Sequence, residues 1–153
     1  MRLAAFAVLL AAGAAAGAAI AHSDNDFVKA RQAYFTLLGA NTGPLAAMAK
    51  GEIDYDAATA ELHAANLAEM AAYNPTPHFP AGTAKEDLPG ETRALASIWS
   101  DMDGFMERVA QFNEAVDALQ GAAGAGRGEL GQAVGRLGAS CKACHDDYRA
   151  ADF

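Results

Sequence analysis

The chain has 153 residues, 52% of them hydrophobic and 20% charged, with a formal net charge of −8 and two cysteines. That length suits one domain built around one core. The balance of 11 basic against 19 acidic residues argues against nucleic acid as a partner, because phosphate binding needs a basic face, and two cysteines cannot build a disulfide framework.

Residues 1–21, MRLAAFAVLLAAGAAAGAAIA, read as a secretory signal. Arg2 supplies the positive start, an apolar run follows, and Ala19-Ile20-Ala21 fits the small-x-small cleavage pattern just before His22. A membrane anchor is the rival reading. It is disfavoured because the run is rich in alanine and glycine, and no charge follows it to stop transfer. Cleavage of 21 residues from 153 leaves a mature domain of 132, residues 22–153, and the loss of Arg2 takes the net charge to −9. No later segment is long and apolar enough to span a bilayer, so no membrane insertion is expected after cleavage.

Four helical stretches follow. From Asp24 to Ala40, Phe27, Ala30, Tyr34, Leu37 and Leu38 recur at helical spacing, with Asp24 as cap and Gly39 near the stop. From Ala57 to Ala72, Ala58, Leu62, Ala65 and Ala72 mark a second face, capped by Asp54 or Asp56. The third stretch carries Ile98, Met102, Phe105, Val109, Phe112, Val116 and Leu119, a sustained heptad seam. The fourth carries Leu130, Val134, Leu137, Cys141, Cys144 and Tyr148 at the same spacing. Linkers are expected at 41–55, with Gly43, Pro44 and Gly51, at the proline-rich 74–90, and at the glycine-rich 121–128. Four helices with such connections predict an all-α antiparallel four-helix bundle.

The chemistry concentrates at Cys141-Lys142-Ala143-Cys144-His145. C-x-x-C-H is the attachment signal of c-type haem. Thiols three apart on a helix share a face and reach two vinyl groups of one porphyrin, and the adjacent His145 can ligate the iron. The competing readings are weaker. A thioredoxin-like pair follows a strand and opens a helix. Zinc would need ligands from His22, His63 or His78, which stand alone. Cysteines at i,i+3 on a helix rarely meet the geometry of a disulfide. Only eight residues follow His145, so a second axial ligand would have to come from an earlier element. Met48, Met70, Met102 and Met106 all read as packing residues.

Three blocks in order give the chain a family resemblance: AxxAYFxLLG from Ala30, FPAGTxxxDLPGETxAxxxIWSDMDGF from Phe79, and LGASCKACHDDYR from Leu137. Together they resemble cytochrome c′, the class II c-type cytochromes, over about residues 27–149. The resemblance implies a periplasmic four-helix bundle with one covalent haem c per chain, held by Cys141 and Cys144 and ligated by His145. It further implies a homodimer and a five-coordinate, high-spin iron. By the same resemblance Phe35 covers the distal face, where low-spin relatives place a methionine, and a plain core residue is its other reading. Arg31 pairs with a haem propionate, with Gln32 a second candidate at that edge. Thr92 is read as the cap of the third helix, or as a contact to the haem edge. Arg149 stands beside the proximal pocket, unless it only complements the helix dipole. His63, His78, Asp146 and Asp147 are expected on the surface and Trp99 in the core.

Two functions follow from this reading. One is capture of NO, and of CO, at the open iron position, with a part in electron transfer. The alternative is a low-spin electron shuttle with no gas-binding role, whose net charge would favour a basic redox partner through steering. No nucleophile–base pair or distal histidine–arginine pair is visible, so an enzyme is not expected.

Overall fold

A computed structural model describes residues 23–153, so the expected signal segment and His22 lie outside the described residues. Four long helices make the fold: α1 (Asp24–Lys50), α2 (Ala57–Ala72), α4 (Met102–Ala122) and α5 (Arg127–Tyr148), with a single turn α3 (Ser97–Ser100) before α4. A 3-10 turn at Thr76–His78 interrupts the long α2–α3 connection. Among the described residues there is no strand, only one antiparallel bridge between Ala94 and Arg149. Helix α1 packs on α2 and α5, and α4 packs on the same two, so α1 faces α4 across the diagonal. This is the expected bundle.

Several local expectations change. Helix α1 does not end at Gly39 but runs to Lys50 through Pro44. A proline inside a helix costs about 3 kcal/mol. Burying Leu45 and Met48, 0% and 2% exposed, offsets that, since each such side chain gains about 1.5–3 kcal/mol. Asn41 and Thr42 donate back to the carbonyls of Leu37 and Leu38 at 3.0 and 2.8 Å, keeping their polar groups within the helix. Gly51, at φ 74°, ends it in the left-handed conformation that glycine adopts freely. At the start Ser23, not Asp24, is the capping residue, and its N–H donates to Asp26.

The buried face of α2 is Ala60, Ala64 and Leu67, not the expected stripe, and Leu62 is exposed. Asp56 caps this helix by accepting from the Thr59 N–H at 2.7 Å. The third seam is broken at Asp101, whose carboxylate caps α4 by accepting from Gly104 N–H at 3.2 Å. Thr92 therefore caps no helix. The final turn is short, Ala123–Gly126, because α4 and α5 absorb the flanking glycines.

One end of the bundle is closed by side chains alone. Leu45, Ala64, Leu67, Leu119, Leu130 and Leu137 are all fully buried there in one cluster. Tyr55 ties the adjoining loops, donating to Ala123 O at 2.8 Å and accepting from Gly126 N–H at 3.0 Å. The other end holds a smaller cluster of Phe79, Ile98, Phe105 and Tyr148. Between the two lies a cavity.

Candidate haem site

The cavity measures about 740 Å3 and is bounded by α1, α4, α5 and the connection from Pro75 to Ile98. It is lined mainly by apolar side chains, among them Leu38, Phe79, Val109 and Phe112. Both thiols and His145 border it, because the 4,3 spacing of α5 that buries Leu130 and Leu137 at one end brings Cys141 and Cys144 to the same face at the other. The two cysteines are free and half-buried. Burial pushes both thiols up from the usual cysteine range. His145 is pushed down, first by burial and then by the positive charges of Arg149 and Arg93. The imidazole is thereby held neutral, the form that ligates a metal.

Across the cavity, α1 presents Phe35. Its ring stands edge-on to the His145 ring, with centroids 6.2 Å apart and planes at 68°. One turn earlier Arg31 is buried, 5% exposed. Its guanidinium donates to Thr83 Oγ1 at 2.9 Å, to Thr83 O at 3.0 Å and to Thr92 Oγ1 at 3.3 Å, and lies over the Phe79 ring at 4.9 Å. Among the described residues no carboxylate pairs with it. A buried cation is costly without a counter-charge, so the site suits a ligand that brings an anionic group. Thr92 thus holds Arg31 at the cavity wall, which replaces the capping role. Gln32 lies at the rim, donating to Glu91 O at 2.8 Å. Arg149 lines the wall next to His145, its N–H donating to His145 O at 3.2 Å.

The expected site residues Arg31, Gln32, Phe35, Thr92, Cys141, Cys144, His145 and Arg149 all line this one cavity. His63 does not; its Nδ1 meets Asn41 Oδ1 at 3.1 Å. His78 is bonded to Tyr73 outside the cavity. None of Met48, Met70, Met102 and Met106 lines it. Trp99 packs against the smaller cluster and donates to Phe79 O at 2.9 Å. Asp147 is on the surface as expected, and there accepts from Arg108 Nε and Nη2 at 3.0 and 2.9 Å.

Sequence reasoning passed over Phe79, Arg93, Arg108 and Tyr148 as cavity residues. In the sequence Tyr148 marks only a seam position. Its phenol donates to Asp101 at 2.8 Å, and its pKa is pushed up to about 12 by burial and by that bond. The Phe79 and Arg93 loop has no periodicity to read, and only its place in the middle block hinted at a role.

The chemistry of this donor set fits haem c: two free thiols on one helical face, a neutral imidazole beside them, an apolar lining and an unpaired buried arginine. A family model described as Cytochrome C' matches residues 26–149. The chain belongs to the cytochrome c′ family. It is 49% identical to cytochrome c′ of Cereibacter sphaeroides, over 97% of this chain and 98% of that one. A solved structure of cytochrome c′ from Rhodobacter sphaeroides superposes with a TM-score of 0.83 at 48% identity, covering 85% of this chain and 99% of the other. Two structures of Alcaligenes xylosoxidans cytochrome c prime also match. The nitric oxide complex of a leucine-to-valine variant gives a TM-score of 0.71 at 35% identity, covering 82% of this chain and 95% of that one. The carbon monoxide-bound leucine-to-glycine variant gives 0.72 at 35% identity, covering 83% and 96%. Covalently attached haem c is the cofactor of this family, and the fold with its two cysteines is that of a cytochrome c′.

Proposed function

We propose that this chain is an exported cytochrome c′ whose iron, ligated by His145 alone among its side chains, stays five-coordinate and takes NO and CO on the Phe35 side. Cys141 and Cys144 would hold the porphyrin and Arg31 a propionate. The bound haem supplies a ferric/ferrous couple and a coordination position for a diatomic gas. The observation that carries the reading is that Phe35 stands edge-on to His145 in the cavity that both thiols border, while none of Met48, Met70, Met102 and Met106 lines it.

Phe35 has no lone pair to ligate iron and no donor to offer a bound oxygen molecule, which disfavours O2 relative to NO and CO. Its ring must give way for any ligand, so the site selects small, strongly bound diatomics. On the other side burial, and after it the charges of Arg149 and Arg93, push the His145 pKa down. The relatives seen with nitric oxide and carbon monoxide support the same ligand class. We read the protein as a gas binder that can also carry electrons, not as an enzyme. Cleavage before His22, residence in the periplasm and assembly as a homodimer belong to the same proposal.

The optical spectrum of the ferrous holoprotein tests it. A broad high-spin Soret band that changes with NO is expected. Sharp, split low-spin bands without added ligand would instead mark an electron shuttle with a sixth protein ligand. Phe35→Met is expected to convert the iron to a six-coordinate, low-spin form, and an unchanged high-spin spectrum would remove Phe35 from the iron.

A further inference from the structure

The charge of the cavity is opposite to that of the chain. The full sequence carries 19 acidic residues against 11 basic, yet among the described residues Arg31, Arg93, Arg108 and Arg149 line the cavity and no Asp or Glu does. Arg108 is neutralised by Asp147 at 2.9 Å, and Arg31 is buried among threonines. Arg93 and Arg149 remain.

The fold forces these two cations together. Ala94 bridges Arg149, and Ala150 N–H donates to Arg93 O at 2.8 Å. They repel: the positive charge of Arg93 adds to burial in lowering Arg149. Among the described residues neither is paired with a carboxylate. Arg93 donates only to the neutral Ala151 carbonyl at 3.0 Å, and its guanidinium lies over the Phe153 ring at 5.3 Å. Phe153 also lines the cavity mouth and is 61% exposed. The acidic residue beside it, Asp152, bonds Lys85 at 2.9 Å, and its carboxyl is held low first by Lys85 and only lastly by Arg93. The Glu91 carboxylate, nearer α1, accepts from Asn25. The cofactor's two carboxylates would offset Arg31 and one of the other two uncompensated arginines, and leave one positive charge on the His145 side of the mouth.

We propose that Arg93, Arg149 and Phe153 form the surface at which this cytochrome exchanges electrons, and that it fits an anionic partner. The alternative expectation, drawn from a net charge of −9, is a basic partner. Distance decides between them. At physiological ionic strength charges are screened over about 8 Å, so a partner at the cavity mouth responds to the arginines there. The acidic residues of the far end are then too distant to count, and the nearer Asp146, Asp147 and Asp152 are bonded to Lys142, Arg108 and Lys85. A cationic rim with an exposed aromatic is also the composition that protein interfaces favour, since arginine and aromatic side chains are enriched in them. The reaction is a single outer-sphere electron transfer: ferrous iron loses one electron, the partner gains it, and no proton moves. The inference rests on haem occupying the cavity, not on its gas ligand.

Stopped-flow oxidation of the ferrous holoprotein by ferricyanide, an anionic one-electron oxidant, tests this against a cationic cobalt(III) phenanthroline complex. The expected result is a ferricyanide rate that falls as salt is added, although protein and oxidant are both anions overall. The double variant Arg93→Gln, Arg149→Gln should lose about tenfold in that rate at low salt and reverse its salt dependence. A control, Lys50→Gln with Arg127→Gln, removes the same charge at the opposite end and should change neither. Circular dichroism and haem content confirm that each variant is folded and loaded. A wild-type ferricyanide rate that rises with salt would overturn the proposal. So would equal effects of the two double variants.

Discussion

The two ends of this bundle are built from the same heptad grammar and finish differently. At the closed end the seam positions Val116, Leu119, Leu130 and Leu137 are fully buried, each against side chains of the other helices. Toward the other end the same seams pass the cavity through Val109, Phe112, Cys141 and Cys144, which are only partly buried, before Phe105 and Tyr148 close a smaller cluster. Interiors pack at near-crystalline density, so partly exposed seam residues around a cavity of about 740 Å3 mark a place whose partner is not a side chain. The contrast shows where the protein's own folding stops and the cofactor's contribution to the core begins.

The largest expected effect comes from removing that contribution. Cys141→Ser with Cys144→Ser should abolish covalent haem entirely, seen as loss of haem staining on a denaturing gel. Hydrogen exchange then reads the two ends separately. Amides of α4 before Phe112 and of α5 after Ser140 should lose protection, while those near Leu119 and Leu130 keep it. Uniform loss of protection would mean that the closed end cannot stand on side-chain packing alone.

The reciprocal change is smaller and confined to stability. Leu137→Ala empties a fully buried position at the closed end and should cost about 2–5 kcal/mol, read from the urea midpoint, with the haem spectrum unchanged. Val109→Ala, in the partly buried cavity wall, removes less contact and should cost about 1 kcal/mol, but with a shifted spectrum. If Leu137→Ala altered the spectrum as much as Val109→Ala, the two ends would be one cooperative unit and not two environments.

The same contrast explains what could be read from sequence. Cys141, Cys144 and His145 announce themselves because covalent attachment demands fixed residue types at fixed spacing. The seams of α4 and α5 were legible because large side chains alternate with polar ones. Helix α2 was misread because alanine sits on both faces: Ala60 and Ala64 are buried, Ala58 is exposed, and nothing local distinguishes them. Leu62 misled for a related reason, since a single exposed leucine is ordinary. Pro44 and Gly43 carry loop signals, but tertiary burial of Leu45 and Met48 overrides them. Arg93, Arg108 and Phe79 reach the cavity through packing between elements far apart in sequence, which no periodicity records.

The smallest effect expected is at the α2 start, where the cap is electrostatic and far from the haem. Accepting the Thr59 side-chain and backbone donors holds the Asp56 carboxyl below its ordinary range. A carboxyl lowered in the folded state adds stability above its unfolded pKa and loses it as pH falls through the folded value. The contribution should therefore be full at neutral pH and fade in the acid range below the ordinary aspartate pKa. Asp56→Asn keeps an acceptor for the Thr59 N–H and removes the titration. Its thermal midpoint should lie close to wild type at low pH and slightly below it at pH 7, with the haem spectrum identical throughout. A spectral change in this variant would show that the α1–α2 end communicates with the cavity, against the separation that the packing implies.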